Sequence, residues 1–169
     1  MSAWSFWKPF VAINIPMEKL PHDFKEFLKL LNSHGVEYLL VGGYAVNFYG
    51  YPRYTGDIDF FVATHEENAE KLVQALKEFG FDMPELSVDL FLDASRMTRF
   101  GREPVKIEIL NSISGIDFEE AYSNHKLVKI DGIEIPLISL ADLRKNKSAS
   151  GRHKDLDDLE NLPPVEIEE

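Results

Sequence analysis

The sequence contains no cysteine. Disulfides, thiolate metal sites and cysteine nucleophiles are therefore excluded. Long apolar runs are missing too, and no stretch reaches the ~20 residues that a membrane helix needs. The apolar stretch from Trp4 to Ile15 is interrupted by Lys8 and Pro9. It also lacks the basic start and small-residue cleavage site of a signal peptide. These absences set cytoplasmic residence, with no membrane partner, as the expectation.

Positive charge is scarce as well. Eighteen Lys and Arg stand against 29 Asp and Glu, for a net charge of −11. Proteins that clamp duplex DNA usually show a basic face, because phosphate neutralisation supplies most of their affinity. The expectation is that this chain does not bind duplex DNA. One segment departs from the acidic background, with Arg144, Lys145, Lys147, Arg152 and Lys154 close together. Such a patch suits a small anionic ligand, and equally describes a solvated helix face. The five histidines show no metal-ligand spacing. There is no Gly-x-Ser-x-Gly elbow, Walker loop or Gly-x-Gly-x-x-Gly turn.

What is present suits one domain over residues 1–169, with an N-terminal extension at 1–18 and an acidic tail at 162–169. Helical spacing of Leu20, Phe24, Phe27, Leu28 and Leu31 predicts a helix over 21–34, ended by Gly35. Tyr38-Leu39-Leu40-Val41 reads as a strand covered on both faces. Gly42-Gly43 turns it into a short helix over 44–49. Residues 51–56 read as a loop. Residues 57–63 alternate, placing Ile58, Phe60 and Val62 on one face and Asp57, Asp59 and Phe61 on the other. Thr64 with Glu67 predicts a capping box for the next helix. A short helix near 87–92 and strands near 97–100 and 105–110 follow. Asp117 and Ser139 cap further helices. Asp131-Gly132 predicts a hairpin turn between 127–130 and 133–138. A last helix is expected over 155–161. The order implies an α/β (α+β) domain: a mixed sheet with helices mainly on one face.

Asp57 and Asp59 are two apart on a strand, so their carboxylates share a face. Two like charges at that distance repel, and a divalent cation removes the conflict. Magnesium takes one or two protein carboxylates and completes its shell with water and substrate phosphate. An Asp-x-Asp alone equally describes two solvent-facing acids. The glycine pair beside it lets a backbone approach an anion closely, although an ordinary tight turn would also use it. Lys106 and Glu108 share a face of the 105–110 strand. Should that strand adjoin 57–63, Glu108 faces the same cleft, where it would serve the second metal or the attacking hydroxyl. The alternative is an exposed Glu108 paired with Lys106. Lys147 lies on the helical stripe of Leu140 and Leu143 and would reach the cleft or snorkel. Arg53 is a second phosphate candidate. For Lys147 and Arg53 alike, a plain surface role fits equally well.

Val41-Gly42-Gly43, thirteen residues, then Asp57-Ile58-Asp59-Phe60 resembles the signature of the nucleotidyltransferase superfamily, which shares its fold with DNA polymerase beta. Lys106-Ile107-Glu108-Ile109 is similar to the strand holding that family's third carboxylate. Residues 143–147 and 151–160 resemble the closing motif of its minimal group, which includes AbiEii-like toxins. The resemblance implies metal binding by Asp57, Asp59 and Glu108, with two Mg²⁺ ions. It implies catalytic roles for these three and Lys147. Nucleotide binding falls to Gly42, Gly43, Arg53, Thr55, Arg152, Lys154 and Asp155. The substrate would be a nucleoside triphosphate and the acceptor an RNA, protein or small-molecule hydroxyl. A toxin neutralised by an antitoxin protein is one implied setting, and a nucleotide- or partner-binding domain without turnover is the alternative. Gly43 replaces a common Ser, and Glu108 replaces the commoner Asp.

Overall fold

The computed structural model describes residues 20–102 and 105–166. The expected extension at 1–18 and the last three residues of the acidic tail lie outside the described residues. Helix α1 (His22–Ser33) turns Phe24, Phe27, Leu28 and Leu31 inward. Strand β1 (Tyr38–Val41) is buried along its whole length, as a continuous apolar run requires. It leads directly into α2 (Gly42–Phe48), which starts at the first glycine and not at Tyr44. Gly42 sits at φ +69°, so the backbone makes this sharp change without a Cβ penalty. Strand β2 (Asp57–Val62) follows the expected loop.

Helix α3 (Glu66–Phe79) corrects one expectation. The Thr64–Glu67 capping box does not form. His65 is the N-cap, and its Nδ1 accepts from the Asn68 N–H at 3.3 Å. An imidazole nitrogen can take the place of a capping hydroxyl, and the helix begins one residue later than Thr64 would start it. Asn68 is spent on the tertiary fold. Its side chain accepts from the Glu37 N–H at 2.7 Å and donates to the Glu37 and Ala63 carbonyls.

A 3₁₀ turn at Val88–Phe91 precedes β3 (Met97–Arg102) and β4 (Val105–Leu110). Helix α4 (Phe118–Ser123) is capped by Asp117 as expected. Strands β5 (Lys126–Ile130) and β6 (Ile133–Leu137) form the Asp131-Gly132 hairpin, with both turn residues at positive φ. Helix α5 (Leu140–Ser150) is capped by Ser139. Helix α6 (His153–Asn161) starts two residues earlier than periodicity suggested.

The strands form one mixed sheet in the order β3-β4-β2-β1-β6-β5. β2 pairs antiparallel with β1 and parallel with β4. The long helices α1 and α3 cover the face carrying Ile58, Phe60 and Val62. Phe27 of α1 meets Phe60 at 5.5 Å between ring centres, and Tyr38 meets Phe60 edge-on. Phe61, on the opposite face, meets Phe118 of α4. Helices α5 and α6 pack on one another.

Phe27 is fully buried among these rings. We expect Phe27→Ala to cost about 3–5 kcal/mol, from lost burial and the cavity left behind. Urea unfolding of the two proteins measures it.

Candidate active site

The parallel register of β2 and β4 sets Asp57 opposite Lys106 and Asp59 opposite Glu108. The strand alternation points all four side chains at one cleft of about 790 Å³. Every site residue expected from the sequence lines that cleft: Asp57, Asp59, Glu108, Lys147, Gly42, Gly43, Arg53, Thr55, Arg152, Lys154 and Asp155. The fold therefore brings together residues from β1, α2, β2, β4, α5 and α6.

The glycine turn lies tightly against the acids. A Cβ at Gly42 would collide with Oδ2 of Asp59. A Cβ at Gly43 would lie 2.6 Å from Oγ1 of Thr55, whose hydroxyl donates to the Asp57 carbonyl. Both positions thus need glycine for close approach. The first-turn N–H groups of α2 begin here, and a helix leaves such groups without intrahelical partners.

Oδ1 of Asp59 is buried and has no hydrogen-bond partner. Burial pushes its carboxyl up to about 8, with the adjacent Glu108 and then Asp57 adding to the shift. Lys147 pulls weakly the other way. Burial also works to raise Glu108, but hydrogen bonds from Asp59 and Arg99 and the charges of Arg99 and Lys106 outweigh it and hold Glu108 ionised. The pair divides one proton, as close carboxylates do.

Glu108 faces the cleft as expected, and the alternative of an exposed Glu108 paired with Lys106 gives way to two other ion pairs. Arg99, opposite Glu108 on the edge strand β3, donates through Nε at 2.9 Å and through an Nη, both to Oε2. Lys106 Nζ lies 3.5 Å from Oδ1 of Asp57. Sequence reasoning missed Arg99. Its alternation on β3 was readable, but not which strand it would face.

Among the described residues, no three His, Asp or Glu side chains are arranged to hold a metal ion by themselves. Asp57, Asp59 and Glu108 meet in one cleft without closing a cage, because Lys106 and Arg99 draw the outer two acids. The donor set does fit magnesium in its substrate-completed mode. Two adjacent hard carboxylates, one with an orphaned buried oxygen, leave the other positions to phosphate and water.

Lys147 is buried and ion-paired to Asp158 at 2.9 Å and Asp155 at 3.2 Å. It neither snorkels nor lies on the surface. Arg53 also grips Asp158, with Nε 2.6 Å from Oδ1 and an Nη 2.8 Å from Oδ2. Arg152 and Ser150 each donate to Oδ2 of Asp155 at 2.6 Å. Burial would raise both aspartates. For Asp155, Arg152, Ser150 and Lys147 outweigh it and bring the carboxyl to about 2. For Asp158, Arg53 and Lys147 outweigh it and lower the carboxyl. Asp158 lies within the 151–160 segment that resembles the closing motif, but sequence reasoning assigns it no site role. The network fastens α5 and α6 to the loop before β2 and carries its positive charge to the cleft wall.

Residues 21–168 match the family described as nucleotidyl transferase of unknown function (DUF2204). The chain belongs to this family. Nucleotidyl transfer is its class of chemistry, and a nucleoside triphosphate is the substrate this class implies. No functionally curated protein matches the sequence. Among solved structures, the lincosamide antibiotic adenylyltransferase LnuA, crystallised with lincomycin, is 18% identical. The match covers 85% of this chain and 96% of LnuA, with a TM-score of 0.55. TM1012 of Thermotoga maritima, classed as a nucleotidyltransferase, is 17% identical, with 81% and 88% covered and a TM-score of 0.54. At these identities the likeness is one of fold.

Two outcomes follow for this nucleotidyl transferase. Asp59 keeps its proton in the folded state over a range where the unfolded chain has lost it. The native protein is therefore destabilised as pH rises from about 4 to about 8. Thermal melts across that range should fall more steeply for wild type than for Asp59→Asn. Lys147→Met should cost about 3–5 kcal/mol in chemical unfolding at neutral pH, because it strands two buried carboxylates.

Proposed function

We propose that this cleft moves a nucleoside monophosphate from a nucleoside triphosphate to an acceptor hydroxyl. The observation that carries the reading is the in-register pairing of Asp59 with Glu108, next to a turn where Cβ atoms are excluded. The acceptor oxygen attacks the α-phosphorus. The bond from that phosphorus to the bridging oxygen breaks, and pyrophosphate leaves. The hydroxyl proton passes to Glu108, which Arg99 keeps ionised, or to water. Asp57 and Asp59 would hold Mg²⁺, with Glu108 serving a second ion. Bound there, Mg²⁺ supplies charge neutralisation of the triphosphate. Gly42 and Gly43 admit the β- and γ-phosphates to close backbone range. Arg152, Lys154, Lys147 and Arg53 provide a positive wall for charge that builds during transfer. The ion pairs of Arg152, Lys147 and Arg53 pre-orient this wall, so little reorganisation is needed at the moment of reaction.

For the acceptor, the reading favours a small hydroxyl compound. The net charge of −11 repels a polyanion. The cleft volume of about 790 Å³ falls in the range of small-molecule sites, about 300–1,000 Å³. LnuA, whose acceptor class is an antibiotic, shares the fold. An RNA or protein acceptor, with an antitoxin partner, is the competing outcome.

Calorimetric titration with ATP, with and without Mg²⁺, tests the site. Magnesium should strengthen ATP binding to wild type, and Asp59→Asn should lose about tenfold or more of that gain, the order of one charged contact. Equal affinities in the two proteins would remove Asp59 from the site. Labelled nucleoside triphosphates offered with hydroxylated small molecules, transfer RNA and protein then identify the acceptor. Labelled RNA alone would overturn the small-molecule reading.

A further inference from the structure

Three acids converge in the cleft, and two of them already carry a cation from the protein itself. Glu108 is taken by Arg99 across the β3–β4 pairing, and Asp57 by Lys106 across the β2–β4 pairing. Strand register puts these partners opposite one another, so the pairs are built into the sheet. Both Arg99 contacts go to a single oxygen, Oε2 of Glu108. A guanidinium paired in the usual fork would engage both oxygens. Here the second oxygen of Glu108 is left outside the Arg99 contact, in a side chain only 13% exposed. The Arg99 side chain itself is 52% exposed. Of the two arms, the arginine is the one that solvent lets swing away.

We propose that Arg99 and Lys106 are resident counter-charges of the acid cluster and make cation loading conditional on the nucleotide. The proposal rests on the nucleotidyl-transfer reading of the cleft. Without nucleotide, a bare divalent cation competes with two fixed positive charges for the same carboxylates. A triphosphate reverses that balance. Its oxygens supply ligands for the cation and alternative partners for Arg99 and Lys106. Arg99 is thus a positioning residue that acts through Glu108. It holds the acid in place before substrate arrives.

Loss of the free Mn²⁺ resonance signal tests this directly on the full chain, without any acceptor. Wild type should bind Mn²⁺ weakly alone and much more tightly with α,β-methylene ATP present. Arg99→Gln should bind nucleotide-free Mn²⁺ about tenfold more tightly, as expected when one nearby positive charge is removed. Arg99→Lys keeps the charge and should stay near wild type. Should Arg99→Gln fail to give a cooperative melt, Lys106→Gln is the second variant, with the same expected gain. The proposal is overturned by Mn²⁺ affinity in the glutamine variants equal to or weaker than wild type. It is also overturned by Arg99→Lys matching Arg99→Gln. A wild type that fails to bind the ATP analogue refutes the nucleotide reading instead, and the nucleotide-free comparison still decides the counter-charges.

Discussion

The pairing of β2 with β4 governs the chemistry of this molecule. It is parallel, it lies inside the sheet with strands on both sides, and its register sets Asp59 beside Glu108. Side chains alternate with a period of two, so a slip of one residue would turn Glu108 to the face that α1 and α3 cover. Such a slip would also bury Lys106 and expose Ile107 and Ile109. Hydrophobic burial on one face therefore fixes the electrostatic arrangement on the other. The aromatic cluster of Phe27, Tyr38 and Phe60 is far more than filler, because it pins the strand whose opposite face holds the acids.

The acidic composition gains a physical meaning from the site. A chain with net charge −11 has few cations to place. Many of those at the cleft are engaged by a carboxylate: Lys106 with Asp57, Arg99 with Glu108, Lys147 with Asp155 and Asp158, Arg53 with Asp158 and Arg152 with Asp155. Charges held this way are oriented before any ligand binds. The α5–α6 network is the more buried of the two groups, and its cations hold both carboxyls below the usual carboxylate range. The pairs on the sheet are more exposed, and Asp59 beside them stays protonated near neutrality. One group is scaffolding, and the other is adjustable.

Much of the architecture was legible in local pattern. The hairpin at Asp131-Gly132, the caps at Asp117 and Ser139, and the strands β1, β2 and β4 follow from short-range stereochemistry. The misreadings were local too, but their causes were tertiary. Asn68 drew the start of α3 toward His65, because its side chain secures the β1 and β2 ends. Helix α6 begins early at His153, close to the point where Arg152 and Asp155 join the buried network.

The sequence by itself determined that Asp57 and Asp59 share a face, that a glycine turn adjoins them, and that their spacing resembles a nucleotidyltransferase signature. Alternation and backbone permissiveness are properties of neighbouring residues, and they need no fold to express them. Which cation answers which acid was decided only by tertiary structure. Lys106 meets Asp57, Arg99 reaches Glu108 from the edge strand, and Lys147 goes to Asp155 and Asp158. Ion pairing depends on strand order, register and burial, and those arise from the whole chain.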